Sequence, residues 1–211
     1  QSDRVNGTIP PCKVVHIPNT IDQNVFRPND KLKARDAHGL PHDKMLLLFS
    51  SMKVTDKRKG IDYLVEACRL LQQQHPELND RIGIVVVGQK AKEMSGMFPY
   101  PLHSLSYISD EHSMALLYSS VDAFVTPSLQ DNLPNTIVEA MSCGTPCVGF
   151  RVGGIPEMIH HQTDGYLAET QNAQDLSDGI MYVLENRECL SKAAAQYAAR
   201  TYNPGRVARL Y

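Results

Sequence analysis

Residues 121–150 read VDAFVTPSLQDNLPNTIVEAMSCGTPCVGF, and this stretch contains a complete strand, loop, helix and strand unit. The apolar runs at its two ends each predict a buried strand. Between them, Pro134 lies near the start of a helical pattern over 135–144, and a glycine ends that pattern. Strands separated by a helix pair in parallel, so this stretch predicts a parallel sheet covered by helices.

The same alternation extends along the rest of the chain. Apolar runs predict strands at 13–17, 44–50, 81–88, 121–127, 146–150 and 165–168. Helical patterns predict helices at 30–39, 60–74, 109–120, 135–144, 155–161 and 173–201, with a further helix start at 202–211. We expect Ser109 to cap the third helix and a break near Arg187 in the longest one. The pattern as a whole predicts an α/β fold with a Rossmann-like, doubly wound parallel sheet in a single domain.

The composition limits the classes of function. The chain has 211 residues, 42% of them hydrophobic, and a formal net charge of −2, which suits one domain with its own core. Lysines and arginines are spread along the chain, so we expect no nucleic-acid surface. The longest apolar run, residues 45–49, is far too short to span a membrane, and the first residues lack the apolar core of a secretory signal.

The cysteines give the expected location. Five scattered cysteines favour free thiols over a disulfide framework, and free thiols are typical of the reducing cytoplasm. Cys143 and Cys147 are close enough in sequence to suggest a metal clip. No second ligand pair follows at zinc spacing, so we interpret both as buried structural thiols and expect no metal.

Ligands of doubly wound folds bind beyond the carboxyl ends of the strands, so the loops that follow strands are the candidate sites. Three loops qualify, at 51–60, 88–100 and 127–136. The first carries four cations: Lys53, Lys57, Arg58 and Lys59. It ends in a glycine that opens a helix, and cations beside a helix start suit a phosphate group. Its spacing is not that of a Walker loop, and a solvated basic loop remains the alternative interpretation.

The third loop leads into a helix start and carries two acids. Backbone N–H groups of Asn135, Thr136 and Ile137 are expected to point out of the helix towards an anion such as a phosphate. Asp131 precedes that helix start and Glu139 lies one turn into the helix. A ligand with a phosphate between two sets of hydroxyls, such as a nucleotide sugar, would satisfy both features. The residues alone leave a second interpretation open, in which Asp131 is an ordinary loop acid and Glu139 lies on a solvated helix face.

Several motifs together resemble those of the group 1 family of retaining glycosyltransferases, which have the GT-B fold. They are PNTIDQNVFRP at 18–28, KRKGIDYL at 57–64, PS at 127–128, DNLPNTIVEAMSCGTP at 131–146, GGIPE at 153–157 and DGYL at 164–167. The resemblance covers nearly the whole chain. It departs from the family pattern at Asp131, which stands for the first Glu of a Glu-x7-Glu motif. It also departs at Lys53, where many relatives have an arginine.

The resemblance implies a domain organisation. Residues 1–211 would be the C-terminal, nucleotide-sugar-binding half of a GT-B enzyme, with the N-terminal acceptor domain absent from this chain. The segment 202–211 resembles the tail helix that crosses back to that domain, so Val207 and Leu210 are expected to be exposed or to pack elsewhere. This half alone is expected to be inactive.

The resemblance also implies an activity for the parent enzyme. It would transfer a sugar, with retained anomeric configuration, from a nucleotide diphosphate sugar to an acceptor in bacterial glycan, polysaccharide or glycolipid biosynthesis. The donor is the only small molecule implied, with no cofactor and no metal. Peripheral membrane association of the parent enzyme is compatible with this activity.

Individual residues take roles from the same resemblance. Lys59 and Lys53 would bind the donor diphosphate. Asp131 would lie near the sugar hydroxyls, and Glu139 would hold the ribose hydroxyls. The implied catalytic residues are Asp131, Glu139 and Lys59. The implied donor-binding residues are Lys53, Arg58, Lys59, Ile108, Asp131, Asn132, Leu133, Asn135, Thr136, Ile137 and Glu139, with Ile108 in the segment that contacts the base through its backbone.

Two alternatives stay open at this point. In the first, the chain is a binding module that holds a nucleotide sugar without catalysis. In the second, it is an unrelated sheet enzyme that uses a histidine, for which His160 and His161 are the obvious pair. Adjacent residues point to different helix faces, so we interpret both histidines as solvated.

Overall fold

The computed structural model describes residues 17–210, and the strand predicted at 13–17 lies outside them except for Ile17. Six strands form the fold: β1 Met45–Lys53, β2 Ile82–Gln89, β3 Leu102–Leu105, β4 Ala123–Thr126, β5 Cys147–Phe150 and β6 Gly165–Ala168. The α-helices are α1 Lys31–His38, α2 Ile61–Gln74, α3 Glu111–Ser120, α4 Asn135–Ser142, α5 Ile155–Met158, α6 Ala173–Thr201 and α7 Pro204–Val207. Short 3-10 turns at Lys57–Lys59, Pro76–Leu78, Ala91–Met94 and Ala208–Leu210 complete the described part of the chain.

The strands form one parallel sheet in the order β3-β2-β1-β4-β5-β6. This is the strand order of Rossmann folds, in which the chain adds strands outward on one side of β1 and then on the other. The prediction of a doubly wound parallel sheet is therefore confirmed. The direction of winding reverses between β1 and β4, which pair through Leu47↔Ala123 and Leu48↔Phe124. A crevice for ligands is expected beyond the carboxyl ends of these two strands.

Both faces of the sheet are buried under helices. Successive residues of β1 point to opposite faces, so Leu47 belongs to a core shared with α2 and Leu48 to a core shared with α3 and α4. The long helix α6 contributes to both cores, with Ile180 in the first and Ala198 in the second. Its 29 residues span roughly 43 Å at 1.5 Å per residue, enough to pass from one face of the sheet to the other.

Two predicted details are wrong, and one strand is missing from the predictions. The strand β3 was not predicted, because LHSL is short and polar and forms only by pairing with the open edge of β2. Asp110, not Ser109, caps α3, since its carboxylate accepts the N–H of Ser113 at 2.7 Å. No break occurs near Arg187, because buried residues on either side of it hold α6 to the same core.

The tail after α6 packs against its own domain. Val207 is buried, so of the two predicted outcomes it is the packed one that the structure supports. The side chain of Leu210 lies outside the described part. The amide of Asn203 donates to Gln23 Oε1 at 3.0 Å, and the Ile21 N–H donates to the carbonyl of Tyr202 at 3.2 Å. The tail thus fixes the segment that precedes α1.

Asp122 fixes the start of β4 against β1. It is 6% exposed, and its Oδ2 accepts the N–H of Leu46 at 2.7 Å and the guanidinium of Arg35 at 3.0 Å. Its own N–H donates to the carbonyl of Leu46 at 2.8 Å. Lys31 binds the other carboxylate oxygen at 2.6 Å. The Leu46 N–H, the Arg35 guanidinium and the Lys31 ammonium together offset the cost of removing this carboxylate from water.

Asp122→Ala should therefore lower the free energy of unfolding by about 3–5 kcal/mol, because it leaves the buried Arg35 guanidinium unpaired. The measurement is urea denaturation followed by circular dichroism. Asp36→Ala is the control, since it removes an exposed carboxylate whose partner is His42. The control should stay close to the wild type. A loss below 1 kcal/mol in Asp122→Ala would show that the β1–β4 junction does not depend on this pair.

Candidate functional site

The loop that follows β4, residues 127–134, is held on one side by the loop that follows β1. The N–H of Leu129 donates to the carbonyl of Arg58 at 2.7 Å. Gly60 has φ 70°, and a Cβ at this position would lie 1.9 Å from the carbonyl oxygen of Pro127. Only glycine fits so close to another backbone. The two predicted loops are therefore in contact, as expected for loops that follow neighbouring strands.

The segment after β5 holds the other side of the same loop. The N–H of Gly154 donates to the carbonyl of Asn132 at 2.7 Å. Gly153 has φ 53°, and a Cβ there would lie 1.8 Å from the carbonyl oxygen of Asp131. The glycine pair of the GGIPE motif thus allows two backbones to touch. The 127–134 loop is clamped between the loops that follow β1 and β5, which fixes the position of Asp131.

Lys59 and Asp131 form an ion pair in this clamp. Lys59 Nζ lies 2.7 Å from Asp131 Oδ2, with the side chains 35% and 15% exposed. The structure thus brings together two of the three predicted catalytic residues. Salt bridges that are partly exposed contribute little to stability, so this one can be exchanged for a ligand at low cost.

The other two predicted cations are not joined to this pair. Arg58 is exposed and turns back to its neighbour Asp56, with Nη2 2.7 Å from Oδ2. This guanidinium lowers the pKa of Asp56. Lys53 is exposed at the end of β1, and its ammonium has no hydrogen-bond or ion-pair partner among the described residues. The Lys53 ammonium is therefore free to turn towards a ligand, whereas Arg58 would first have to leave Asp56.

Glu139 lies one turn into α4 and is half-buried. The hydroxyl of Tyr118 donates to its Oε2 at 3.0 Å. Burial raises the pKa of Glu139, the Tyr118 hydrogen bond lowers it, and the nearby Glu111 carboxylate raises it. No described residue donates to Oε1. One carboxylate oxygen is therefore fixed, while the other can accept a hydrogen bond from a ligand.

A cavity of about 340 Å³ lies beyond the ends of β1 and β2. It is lined by Phe26, Ser50, Ser51, Met52, Val87, Tyr107, Ile108, Ser109, Glu111, Met114, Tyr118, Thr136 and Glu139. This volume is within the range of small-molecule sites. The predicted residues Ile108, from the loop before α3, and Thr136 and Glu139, from α4, converge on it. A smaller cavity of about 170 Å³ adjoins it and shares Glu139.

The start of α4 is partly free. The described residues offer no backbone acceptor to the N–H groups of Asn135 and Thr136, as predicted. The prediction of a free N–H on Ile137 is wrong, because this group donates to the carbonyl of Pro134 at 3.1 Å and tightens the first turn. The Asn135 side chain accepts the amide of Asn19 at 3.0 Å, which brings the segment before α1 to the site.

The remaining predicted residues, Asn132 and Leu133, have structural contacts. Asn132 is exposed, and its carbonyl accepts the N–H of Gly154. Leu133 packs against the core beneath α4. Neither side chain lines the 340 Å³ cavity. The residues that sequence reasoning missed are Tyr118 and Glu111, which look like ordinary helix residues, because no local pattern shows that α3 faces α4.

The histidines and cysteines lie apart from these loops. The ring of His160 contacts the buried carboxylate of Asp164, Nδ1 to Oδ2 at 2.7 Å. The prediction that His161 is solvated is wrong, since it is half-buried and its Nδ1 accepts the N–H of Leu167. Cys143 and Cys147 are buried free thiols, as predicted.

Residues 17–210 contain neither a candidate metal-ion site nor a helix able to span a membrane. No three His, Cys, Asp or Glu side chains among them are grouped so that they could hold a metal ion. No helix in the same range has the length and apolar character needed to cross a membrane.

Gly153→Ala tests whether the 127–134 loop depends on close backbone packing. Gly39 is the matched control, because it has a similar φ of 63° but open space around its Cβ position. We expect Gly39→Ala to cost about 1 kcal/mol, the cost of a left-handed non-glycine residue. Gly153→Ala should cost about 3 kcal/mol or more, since steric overlap adds to the same strain. Urea denaturation of both variants gives the two values, and equal losses would contradict the clamp.

The chain is similar to known proteins in sequence and in fold. A sequence profile of the family described as glycosyl transferases group 1 matches residues 30–202. The D-inositol 3-phosphate glycosyltransferase of Stackebrandtia nassauensis is 31% identical over 205 residues, which cover 90% of this chain and 46% of the relative. The chain thus spans about half the length of the curated relatives it matches.

Two solved structures share the fold. Sucrose-phosphate synthase of Thermosynechococcus elongatus has a TM-score of 0.77 at 24% identity, over 92% of this chain and 50% of that chain. Alr3699/HepE of Anabaena, solved in complex with UDP, has a TM-score of 0.76 at 20% identity, over 92% of this chain and 55% of that chain. At these identities the likeness establishes the Rossmann-like GT-B domain alone. Because the family profile covers most of the chain, this protein belongs to the group 1 family of glycosyltransferases.

Proposed function

We propose that this chain binds the donor of a retaining glycosyltransferase, and that the donor is a nucleotide diphosphate sugar. The observation that carries the proposal is the grouping of three features around the β1–β4 switch point. They are the half-buried Glu139 carboxylate, the Lys59–Asp131 pair and the two free N–H groups at the start of α4. The Glu139 carboxylate would accept the ribose hydroxyls, the Lys59 ammonium and the free N–H groups would bind the diphosphate, and the Asp131 carboxylate would accept the sugar hydroxyls.

The ribose end of the donor is assigned to Glu139. A carboxylate oxygen that lacks a protein donor accepts strong hydrogen bonds from hydroxyl groups. Ile108 and Thr136 line the same cavity, which offers space for the base beyond the ribose. The UDP complex of Alr3699/HepE supports a nucleoside diphosphate as the ligand of this fold.

The diphosphate is assigned to the N–H groups of Asn135 and Thr136 together with Lys59. A helix start attracts anions through its unpaired N–H groups and its dipole. Lys53, and Arg58 once its guanidinium leaves Asp56, would join when the ligand is bound, since neither side chain is bonded to the 127–134 loop. These positive groups would stabilise the charge that develops on the leaving diphosphate.

The sugar is assigned to Asp131, at the mouth of the clamp. In the transfer step, the bond between the anomeric carbon and the diphosphate oxygen breaks, and a bond to the acceptor oxygen forms. The proton of the acceptor hydroxyl passes to the departing diphosphate, so no protein base is required. We assign the acceptor to a second domain, because the relatives are about twice as long as the matched part. This chain alone would then bind the donor without turnover.

The setting of the reaction is also a proposal. The described cysteines are all free thiols, which supports a reducing, cytoplasmic location. One protein named above is a D-inositol 3-phosphate glycosyltransferase, and another is a sucrose-phosphate synthase. Transfer in glycan or glycolipid synthesis, with the parent enzyme peripherally bound to a membrane, is the reaction class that we infer.

Binding of nucleoside diphosphates to the 211-residue chain tests the donor site. Calorimetry with UDP, GDP and ADP should find at least one ligand. Glu139→Gln and Lys59→Ala should each weaken its binding by about 1–3 kcal/mol, the value of hydrogen bonds to charged groups. Lys33→Ala and Glu66→Gln are matched controls, since they remove the same charges from exposed helix positions outside these loops. Folded protein that binds none of the three, or equal losses in the controls, would refute the assignment.

Asp131→Asn tests the exchange of the ion pair. In the free chain Lys59 is neutralised by Asp131, so removing this carboxylate should release the ammonium for the diphosphate. We expect the bare nucleoside diphosphate to bind a few-fold more tightly, in line with about 0.2–1 kcal/mol for an exposed pair. The corresponding nucleotide sugar should gain less, because it loses a carboxylate contact to its hydroxyls. Weaker binding of both ligands to the same extent would contradict this role.

A further inference from the structure

Tyr118 lies in α3, outside the motifs that identify the family, and it is fully buried. Its ring packs edge-on against Phe124 of β4, with centroids 5.6 Å apart. Its carbonyl accepts the hydroxyl of Thr145, which follows α4. Tyr118 is therefore fixed through its backbone carbonyl and along its ring, and its hydroxyl has a single partner among the described residues.

The partner of the Tyr118 hydroxyl is Glu139. Among the described residues, the hydroxyl of Tyr118 donates to Glu139 Oε2 and to no other atom. A buried phenol without a partner is costly, so the two side chains hold each other in place. Glutamate has three rotatable bonds, and fixing them before a ligand arrives removes an entropic cost from binding.

We propose that Tyr118 is a positioning residue of the donor site, which holds Glu139 Oε2 so that Oε1 is presented to the ribose diol of the nucleotide. This inference rests on the proposed function, in which Glu139 binds the ribose. It adds a residue that touches Glu139 and not the reacting atoms.

The charges around Glu139 give the role a measurable signature. The titratable groups that face it are Tyr118 and Glu111 from α3, Cys143 directly after α4 and Asp22 from the segment before α1. Burial raises the pKa of Glu139 and the Tyr118 hydroxyl lowers it again. Burial also raises the pKa of Tyr118 well above its ordinary value, so the hydroxyl stays a donor throughout the neutral range.

The direction of the pH effect follows from these signs. The charged carboxylate is present above the pKa of Glu139 and is lost as the pH falls through it. Replacing Tyr118 by phenylalanine removes a hydrogen bond to the charged form, which raises that pKa further. The acidic loss of nucleotide affinity should then begin at a higher pH in the variant than in the wild type.

The experiment measures binding of UDP, GDP and ADP and of their 2′-deoxy forms to the full chain between about pH 5 and 8, around the ordinary carboxyl and neutral range. Tyr118→Phe should weaken the best ribonucleotide about 2- to 10-fold at neutral pH, the value of one hydrogen bond. It should also reduce the preference for ribose over 2′-deoxyribose. The acidic limb of the affinity profile, the pH range in which affinity is lost on acidification, should shift to higher pH. A purely structural role would weaken both sugar forms equally and leave the limb unmoved.

Tyr166→Phe is the matched control. It removes the same kind of bond, from a tyrosine hydroxyl to the carboxylate of Asp175 at 2.8 Å, at a place away from the cavity. It should leave affinity, ribose preference and pH profile unchanged. A Tyr118→Phe variant that matches this control would overturn the inference, whereas wild-type chain that binds no nucleoside diphosphate would overturn the proposed function itself.

A second variant keeps the test decisive if Tyr118→Phe fails to fold. Glu111 is exposed at the start of α3, so Glu111→Gln should be tolerated. Loss of its negative charge lowers the pKa of Glu139, and the acidic limb should move to lower pH. An unmoved limb would show that Glu139 does not govern binding, and the role of Tyr118 would fall with it.

Discussion

The pairing of β1 with β4 is the constraint on which the rest of the structure depends. Only two residue pairs join these strands in register, and the buried Asp122 fixes the junction through the backbone of Leu46 and the guanidinium of Arg35. The direction of winding reverses at this junction, so the loops after β1 and β4 leave the sheet side by side. Their contact, and therefore the existence of a site between them, follows from a strand pair held together at its far end.

Close backbone contacts hold these loops together as one packed unit. Gly60 and Gly153 lie on opposite sides of the 127–134 loop, each so near to a carbonyl that a side chain would not fit. The loop can then hold Asp131 against Lys59 without a hydrophobic core of its own. Glu139 depends on a different support, the phenol of Tyr118, which is itself packed into the sheet. One oxygen of each carboxylate is held by a protein donor. The N–H groups of Asn135 and Thr136, the Lys53 ammonium and Glu139 Oε1 have no protein partner among the described residues and can bind a ligand.

Much of the fold could be predicted because its strands are buried on both faces and its helices have clear end signals. The runs that became β1, β2, β4, β5 and β6 are continuous and apolar. β3 was not predicted because an edge strand pairs with only one neighbour and needs little apolar surface. The continuity of α6 past Arg187 was also missed, since it depends on buried residues on both sides of Arg187 that pack into the same core.

The sequence by itself determined the kind of elements, the loops that could hold chemistry and the residue types in them, because hydrophobic period and turn residues act over a few positions. It also determined the family, through short motifs spread over the chain. Only the tertiary structure decided which charges meet. Lys59 and Asp131 are 72 positions apart, and Tyr118 and Glu139 are 21 apart. Such pairs depend on how the sheet is wound and how α3 packs against α4, and no local pattern records that geometry.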